Sequence, residues 1–155
     1  MKNQIKYLFL DIDGALTDAY IYITTDKKGI KKYFRPDLSA LAHLRENLGI
    51  EVIGLNEIDD YCDHYLKDFG VVDTILIGDK VKNVRTFLEN KNIQTEESIY
   101  VGINVSLYSL FNYTACPAKN PSNVSIHADI KLESEAGHGA IAELCQDIIK
   151  IVNFS

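Results

Sequence analysis

Residues 6–18 read Lys6-Tyr7-Leu8-Phe9-Leu10-Asp11-Ile12-Asp13-Gly14-Ala15-Leu16-Thr17-Asp18. The apolar run that ends at Leu10 is typical of a buried strand in a parallel sheet. Asp11 and Asp13 follow this strand, and two carboxylates so close together are unfavourable unless a metal ion or hydrogen-bond donors balance their charge. Gly14 allows a sharp turn that brings backbone N–H groups to an anion. The motif predicts phosphoryl transfer, in which one aspartate attacks phosphorus and the other transfers protons.

Two simpler interpretations fit the same D-x-D-G pattern. An acidic surface turn and a calcium-binding loop both use closely spaced acids followed by glycine. An EF-hand is excluded, because no helix pair flanks the motif and the twelfth loop position is Tyr22 instead of Glu.

Strands and helices alternate along the rest of the chain. Short apolar runs predict strands over 20–24, 30–34, 51–55, 74–77, 98–101 and 113–116, the first two forming a β-hairpin around Thr25-Asp26-Lys27-Lys28-Gly29. Helical spacing of apolar residues predicts helices over 38–48 with Asp37 as N-cap, then over 58–69, 81–90, 105–110 and 139–151. This order predicts an α/β fold, a Rossmann-like three-layer sandwich with a mainly parallel sheet and a protruding hairpin.

The predicted sheet also locates the site. Ligands of such sheets bind beyond the carboxyl ends of the strands. Three of these ends carry polar residues, namely Asp11 and Asp13, then Asn56 and Glu57, then Gly102 and Asn104.

Length and composition narrow the class of protein. The 155 residues suit a single domain spanning 1–155, and the formal net charge of −6 argues against a nucleic-acid partner. The N-terminal residues show neither a signal peptide nor a membrane helix, so we expect a cytoplasmic protein with no membrane partner. The cysteines are Cys62, Cys116 and Cys145, whose odd number and wide spacing argue against a disulfide framework and a zinc site.

The order of motifs resembles that of the haloacid dehalogenase (HAD) superfamily. It is most similar to the small capless branch that contains 3-deoxy-manno-octulosonate 8-phosphate phosphatase and the phosphatase-like domain of acylneuraminate cytidylyltransferases. The resemblance rests on residues 9–18, the hairpin, Gly49-Ile50-Glu51-Val52, Gly78-Asp79-Lys80-Val81-Lys82, Tyr100-Val101-Gly102 and the glycine-rich segment 136–143. The segments between these motifs are too short for a cap domain. The resemblance implies a magnesium-dependent phosphatase that acts on a small phosphorylated sugar acid through an aspartyl-phosphate.

The resemblance also implies roles for individual residues. Asp11 would be the nucleophile and a Mg²⁺ ligand, and Asp13 would be the general acid/base with its backbone carbonyl on the metal. Lys82 would neutralise the phosphate, with Lys80 as the nearby substitute.

Further residues would contact the ligand or the metal. Gly14, Asn56 and Arg35 would bind phosphate or substrate, Asn56 standing where the family has Ser or Thr. Asn104 would be the remaining metal ligand.

The fourth motif departs most from the family pattern. The family has Gly-Asp-Asp followed by a further Asp in this motif. At the corresponding positions this chain has Gly102, Ile103, Asn104 and Leu107. Because Mg²⁺ prefers anionic oxygen ligands, we expect a weakened metal site, in which Asp79 or Glu57 is an alternative ligand. His138 lies between two glycines, where it either faces solvent or contacts the substrate.

Three hypotheses remain from the sequence. The first is the Mg²⁺-dependent sugar-acid phosphatase. The second is a catalytically degenerate HAD-fold protein with a binding or assembly role, as loss of the fourth-motif acids suggests. The third is a flavodoxin-like or receiver domain, which ranks last because such domains lack the D-x-D-G motif and the early hairpin that this chain has.

The exposed apolar residues of the hairpin 20–34, together with the resemblance, predict a homotetramer formed through the hairpin.

Overall fold

A six-stranded parallel sheet and a separate two-stranded hairpin organise the chain. The computed structural model describes residues 5–26, 29–56, 63–76, 78–120 and 124–153. The strands are β1 (Tyr7–Asp11), β2 (Tyr22–Ile23), β3 (Gly29–Ile30), β4 (Glu51–Asn56), β5 (Val71–Leu76), β6 (Ser98–Val101), β7 (Tyr113–Ala118) and β8 (Ile130–Glu135). The helices are α1 (Arg35–Leu48), α2 (Asp63–Lys67), α3 (Lys80–Lys91), α4 (Val105–Tyr108) and α5 (Ala140–Asn153).

The first strand lies in the middle of the sheet. The strand order is β5-β4-β1-β6-β7-β8, and every neighbouring pair is parallel. Asp11, the last residue of β1, is level with Leu55 of β4, and Leu10 is level with Val101 of β6. Asp11 therefore lies at the centre of the carboxyl edge, where such sheets bind ligands.

Alternation along β1 produces two hydrophobic layers. Leu8 and Leu10 belong to the core cluster on one face, which contains Leu41 and Leu44 of α1 and further residues of α5. Phe9 belongs to the cluster on the opposite face, which contains residues of α3 and α4. Because successive side chains of a strand point to opposite faces, one short apolar run serves both layers. The predicted three-layer α/β sandwich is confirmed.

The helix α1 begins earlier than the sequence pattern predicted, and the predicted N-cap role of Asp37 was wrong. The helix starts at Arg35 with Pro36 in its first turn, a position that proline favours, and Phe34 is the N-cap residue. Asp37 is buried and accepts hydrogen bonds from the backbone N–H groups of Gly139 (3.2 Å) and Ala142 (2.8 Å). Its carboxylate thus caps α5, the neighbouring helix.

The hairpin is shorter than predicted. Two residues pair on each side, Tyr22 with Ile30 and Ile23 with Gly29, instead of five. A two-stranded ribbon without a third strand or a covering helix gains little from longer pairing. The predicted helix 58–69 is represented by α2, and residues 57–62 with Glu57 and Cys62 lie outside the described residues.

Two further expectations concern cysteines and membranes. Cys116 and Cys145 are buried free thiols. None of the helices formed by the described residues combines the length and the apolar character needed to span a bilayer.

Candidate active site

Two hydrogen-bond donors hold the carboxylate of Asp11. This side chain is buried (6% exposed), and its Oδ2 accepts hydrogen bonds from the Tyr100 hydroxyl (2.8 Å) and the Ile103 backbone N–H (3.0 Å). Tyr100 is fully buried and stacks on Phe111 with 5.3 Å between ring centroids. Burial, and secondly the charge of Asp11, raises the pKa of Tyr100 far above its ordinary value, so its hydroxyl remains a proton donor. The orientation of the Asp11 carboxylate is therefore fixed by β6 and the turn that follows it.

Gly102 permits this close approach. A Cβ atom at this position would lie 2.5 Å from Cγ of Asp11 and would overlap both its Oδ2 and the Tyr100 hydroxyl oxygen. The turn after β6 thus needs glycine because the carboxylate occupies the space of a side chain.

Asp13 lies in loop I, which we define as residues 12–18. Its Oδ2 accepts a hydrogen bond from Nζ of Lys31 (3.0 Å), and its Oδ1 accepts one from the Thr17 hydroxyl (3.0 Å). Only 12% of the Lys31 side chain is exposed. The chain segment that leaves the hairpin therefore brings an ammonium group to the second aspartate of the motif.

A second ion pair joins the same two segments. Nζ of Lys32 lies 3.0 Å from Oδ2 of Asp18. Burial acts to raise the pKa of Asp18, but the Lys32 ammonium and the Tyr20 N–H outweigh it, so this pKa is lowered. Consecutive lysines thus pair with the two acids of loop I.

Loop I is also closed by its own backbone. The N–H of Thr17 donates to the carbonyl of Ile12 (2.9 Å), and the N–H of Gly14 donates to the carbonyl of Thr17 (3.2 Å). The N–H of Gly137 donates to the carbonyl of Ala15 (3.2 Å), which attaches the glycine-rich segment to the loop. Because the Gly14 N–H is already paired, its role in phosphate binding stays a prediction.

Asn56 ends the strand beside β1. The backbone N–H of Ile12 donates to the carbonyl of Leu55, which places Asn56 next to the start of loop I. Asn56 is 1% exposed, and both polar atoms of its amide are buried without a hydrogen-bond partner among the described residues. Leaving such a group unpaired costs about 1–3 kcal/mol. A ligand or an ordered water is the expected partner of such a group.

The predicted basic residues differ in exposure. Lys82 and Arg35 are exposed, and neither side chain forms a hydrogen bond or ion pair with the described part of the chain. Lys80 is half-buried at the start of α3. The structure thus brings Asp11, Asn56 and the turn after β6 together, whereas the roles of Lys82 and Arg35 stay predictions.

Comparison with solved structures shows the same architecture in known proteins. A protein assigned to HAD superfamily subfamily III A from Legionella pneumophila superposes with a TM-score of 0.89 at 24% identity, over 97% of this chain and 85% of that chain. The cobalt-bound deoxy-D-mannose-octulosonate 8-phosphate phosphatase of Haemophilus influenzae superposes with a TM-score of 0.88 at 21% identity. The superposition covers 97% of this chain and 91% of that chain. The chain has the capless HAD fold. No protein-family profile matches it.

Another structure with the HAD fold was solved with ligands. It is the 3-deoxy-D-manno-octulosonate 8-phosphate phosphatase of Moraxella catarrhalis, in complex with a magnesium ion, a phosphate ion and KDO. It superposes with a TM-score of 0.88 at 20% identity, over 97% of this chain and 89% of that chain. At these identities the likeness establishes the fold.

The residues of this chain do not fit the metal site that its HAD fold implies. Oδ2 of Asp11 already accepts two hydrogen bonds, and Oδ1 of Asn104 accepts one from the Ser106 N–H (3.2 Å) at the start of α4. Within the described ranges, no three His, Cys, Asp or Glu side chains come together as a metal-binding group. Asp79, the proposed substitute, instead caps α3 through the Lys82 N–H (3.3 Å). A hard divalent ion would find no carboxylate in the turn after β6, where Ile103 and Asn104 stand.

An open cavity of about 410 Å³ lies next to loop I, beyond the ends of β7 and β8. Its lining includes Gly14, Asp18, Ile103, Lys119 and His138. His138 is exposed, with Nδ1 3.0 Å from the Ala136 carbonyl oxygen. The cavity borders the motif and has room for a small polar molecule.

Sequence reasoning missed two contacts of the site. Tyr100 is level with Phe9 in the sheet and lies in the same core layer, so its hydroxyl reaches the next residue on that face, Asp11. The alternation of side chains could have indicated this contact, but only with the register of β1 and β6 known. For the contact of Lys31 with Asp13, we find no sequence signal.

Proposed function

We propose that the chain is a phosphoric monoester hydrolase that acts on a small phosphorylated sugar acid through an aspartyl-phosphate on Asp11. The main support is the position of Asp11 and Asp13 at the carboxyl end of the central strand, beside Asn56, whose buried amide has no hydrogen-bond partner in the described part of the chain. The complex of the Moraxella catarrhalis phosphatase with phosphate and KDO supports the substrate class.

The proposed reaction has two steps. A carboxylate oxygen of Asp11 attacks phosphorus, and the bond between phosphorus and the sugar oxygen breaks while Asp13 gives that oxygen a proton. Asp13 then accepts a proton from water, which attacks the aspartyl-phosphate and releases inorganic phosphate. The amide N–H of Asn56 would donate to a phosphoryl oxygen, and Lys82 and Arg35 would attract the anionic substrate. Mg²⁺ at Asp11, Asp13 and Asn104, if bound, would have low affinity, and no step is assigned to it.

An activity assay tests this function. Turnover of a generic aryl phosphate and of sugar-acid phosphates is measured, with and without Mg²⁺, for the wild type and for Asp11→Asn. We expect release of phosphate by the wild type and none by Asp11→Asn.

A second variant tests the general acid/base. Asp13→Asn should lower kcat by about 10²-fold or more, the usual contribution of a general acid/base. Asp147→Asn, a neutralised acid on α5, is the matched control and should retain wild-type turnover. Equal rates for the wild type and Asp11→Asn would reject the proposal.

A catalytically degenerate binding protein is the second candidate. The two hydrogen bonds on Asp11 Oδ2 favour it, because they hold the nucleophile as a structural carboxylate. Such a protein would bind inorganic phosphate in a titration but would release none from any ester.

A further inference from the structure

We infer that the phosphate site of this chain operates without a resident divalent cation, and that the ammonium group of Lys31 balances charge at Asp13 in its place. This inference rests on the proposed function in taking Asp11 and Asp13 as the phosphate site. It assigns Lys31 as a positioning residue that acts through Asp13.

The first observation concerns the oxygen atoms of Asp11. Its Oδ2 accepts from the Tyr100 hydroxyl at 2.8 Å and from the Ile103 N–H at 3.0 Å. These donors are neutral, and the Tyr100 ring is fixed in the core by Phe111 and Tyr108. A metal ion on this oxygen would have to displace donors that the fold holds in place.

The second observation concerns the side chain that follows Gly102. Cδ1 of Ile103 lies 2.7 Å from the point where a Cβ atom of Gly14 would be, so this apolar side chain packs directly on the turn of loop I. Gly14 has φ of +95°, a conformation that favours glycine. An aliphatic group thus occupies the approach to the loop from β6, where a ligand oxygen would be required for a metal ion.

The third observation supplies the cation. Nζ of Lys31 lies 3.0 Å from Oδ2 of Asp13, and the Lys31 side chain is only 12% exposed. Without this ammonium, two carboxylates and a phosphate dianion would meet at one sheet edge with little to balance them. Lys32 pairs in the same way with Asp18, but its side chain is 50% exposed and its partner lies at the far end of the loop. Lys31 therefore places an ammonium group directly on the second acid of the motif.

Binding of inorganic phosphate to the full chain tests the inference. Calorimetric titrations are run with EDTA and with Mg²⁺, for the wild type, Lys31→Met, Lys31→Arg and the matched control Lys32→Met. We expect equal phosphate affinity with EDTA and with Mg²⁺. Lys31→Met should weaken binding by roughly tenfold to a hundredfold, the worth of one charge-assisted hydrogen bond. Lys31→Arg should restore most of the affinity, and Lys32→Met should bind like the wild type.

Thermal unfolding and circular dichroism establish that each variant is folded, and the Lys31→Arg rescue separates loss of charge from loss of structure. Loss of phosphate binding in EDTA, wild-type affinity in Lys31→Met, or no phosphate binding under any condition would overturn the inference. Turnover that requires Mg²⁺ would overturn it while leaving the proposed function intact. Conversely, the wild type could bind phosphate in EDTA in a Lys31-dependent way and yet turn over no ester. That result would reject the proposed function and leave the inference intact.

Discussion

The amide of Asn56 is a buried polar group that the fold leaves unpaired among the described residues. Such a group lowers the stability of the ligand-free protein and contributes only when a ligand pairs with it. This combination is expected of a residue kept for binding at the expense of stability.

Replacing Asn56 by the similarly sized Leu should therefore separate stability from binding. We expect the free energy of unfolding in phosphate-free buffer to stay equal or to rise by about 1–2 kcal/mol, since an unsatisfied amide is removed. Phosphate binding should be lost. Urea unfolding and calorimetry measure the two effects, and Asn112→Leu, at an exposed position, is the control that should leave phosphate affinity unchanged. A clear loss of stability in Asn56→Leu would show that the amide has partners in the free protein.

At the scale of elements, carboxylates attach α5 to its neighbours. Asp37 of α1 caps the first turn of α5. Glu143, which lies on α5, accepts hydrogen bonds from the backbone N–H groups of Glu133 (2.9 Å) and Ser134 (2.8 Å) in β8. Partial burial acts to raise the pKa of Glu143, but these hydrogen bonds outweigh it, so that the pKa is lowered. The edge strand β8 is thus held to α5 by an ionised side chain.

Glu143→Gln should destabilise the protein in a pH-dependent way. Because the folded-state pKa is lowered, the contribution of Glu143 is present above the ordinary carboxyl pKa and is lost as the pH falls from there through the lowered folded-state pKa. We expect a loss of about 1–2 kcal/mol at neutral pH, since an amide cannot accept at both positions, and a smaller difference from the wild type in acid. Urea unfolding at several pH values measures this difference in the free energy of unfolding. Glu133→Gln is the control and should leave the stability unchanged. A difference that grows in acid would contradict this account.

At the scale of the whole molecule, several of the exposed apolar side chains recorded for the described residues lie in the hairpin. It carries exposed aromatic and aliphatic side chains, namely Tyr20, Ile21, Tyr22, Ile23 and Ile30. A contiguous surface of this kind marks an interaction site. Its two short strands also leave backbone groups for pairing with another strand. We therefore retain the proposal that the chain forms a homotetramer through the hairpin 20–34.

The double variant Ile21→Glu, Ile23→Glu should dissociate this assembly, because each change places a charge in the proposed interface. Sedimentation velocity at micromolar concentration measures the mass, which should fall from tetramer to monomer. Ile126→Glu replaces an isoleucine that is at least as exposed as Ile21 and Ile23 but lies in another part of the chain, and it should leave the assembly intact. A wild-type protein that sediments as a monomer would refute the proposal.

Local patterns of the sequence predicted most elements of this fold, but not the bounds of β8 or the short strands of the hairpin. The apolar run before Asp11 predicted the buried strand β1, β6 was predicted over its observed bounds, and the period of α5 predicted its bounds to within two residues. These features could be read because strand alternation and helical spacing are properties of neighbouring residues. The proposed location of the site followed from them, since parallel strands share one carboxyl edge.

Contacts between distant residues were decided by the tertiary structure alone. Tyr100 is 89 positions from Asp11, and Ala142 is 105 positions from Asp37. Such pairs depend on strand register and helix packing, which a local pattern does not contain. Sequence alone therefore specified which acids stand at the edge of the sheet. The packed fold determined that a tyrosine, a backbone N–H and a lysine are their partners, because only packing brings these donors within hydrogen-bond distance.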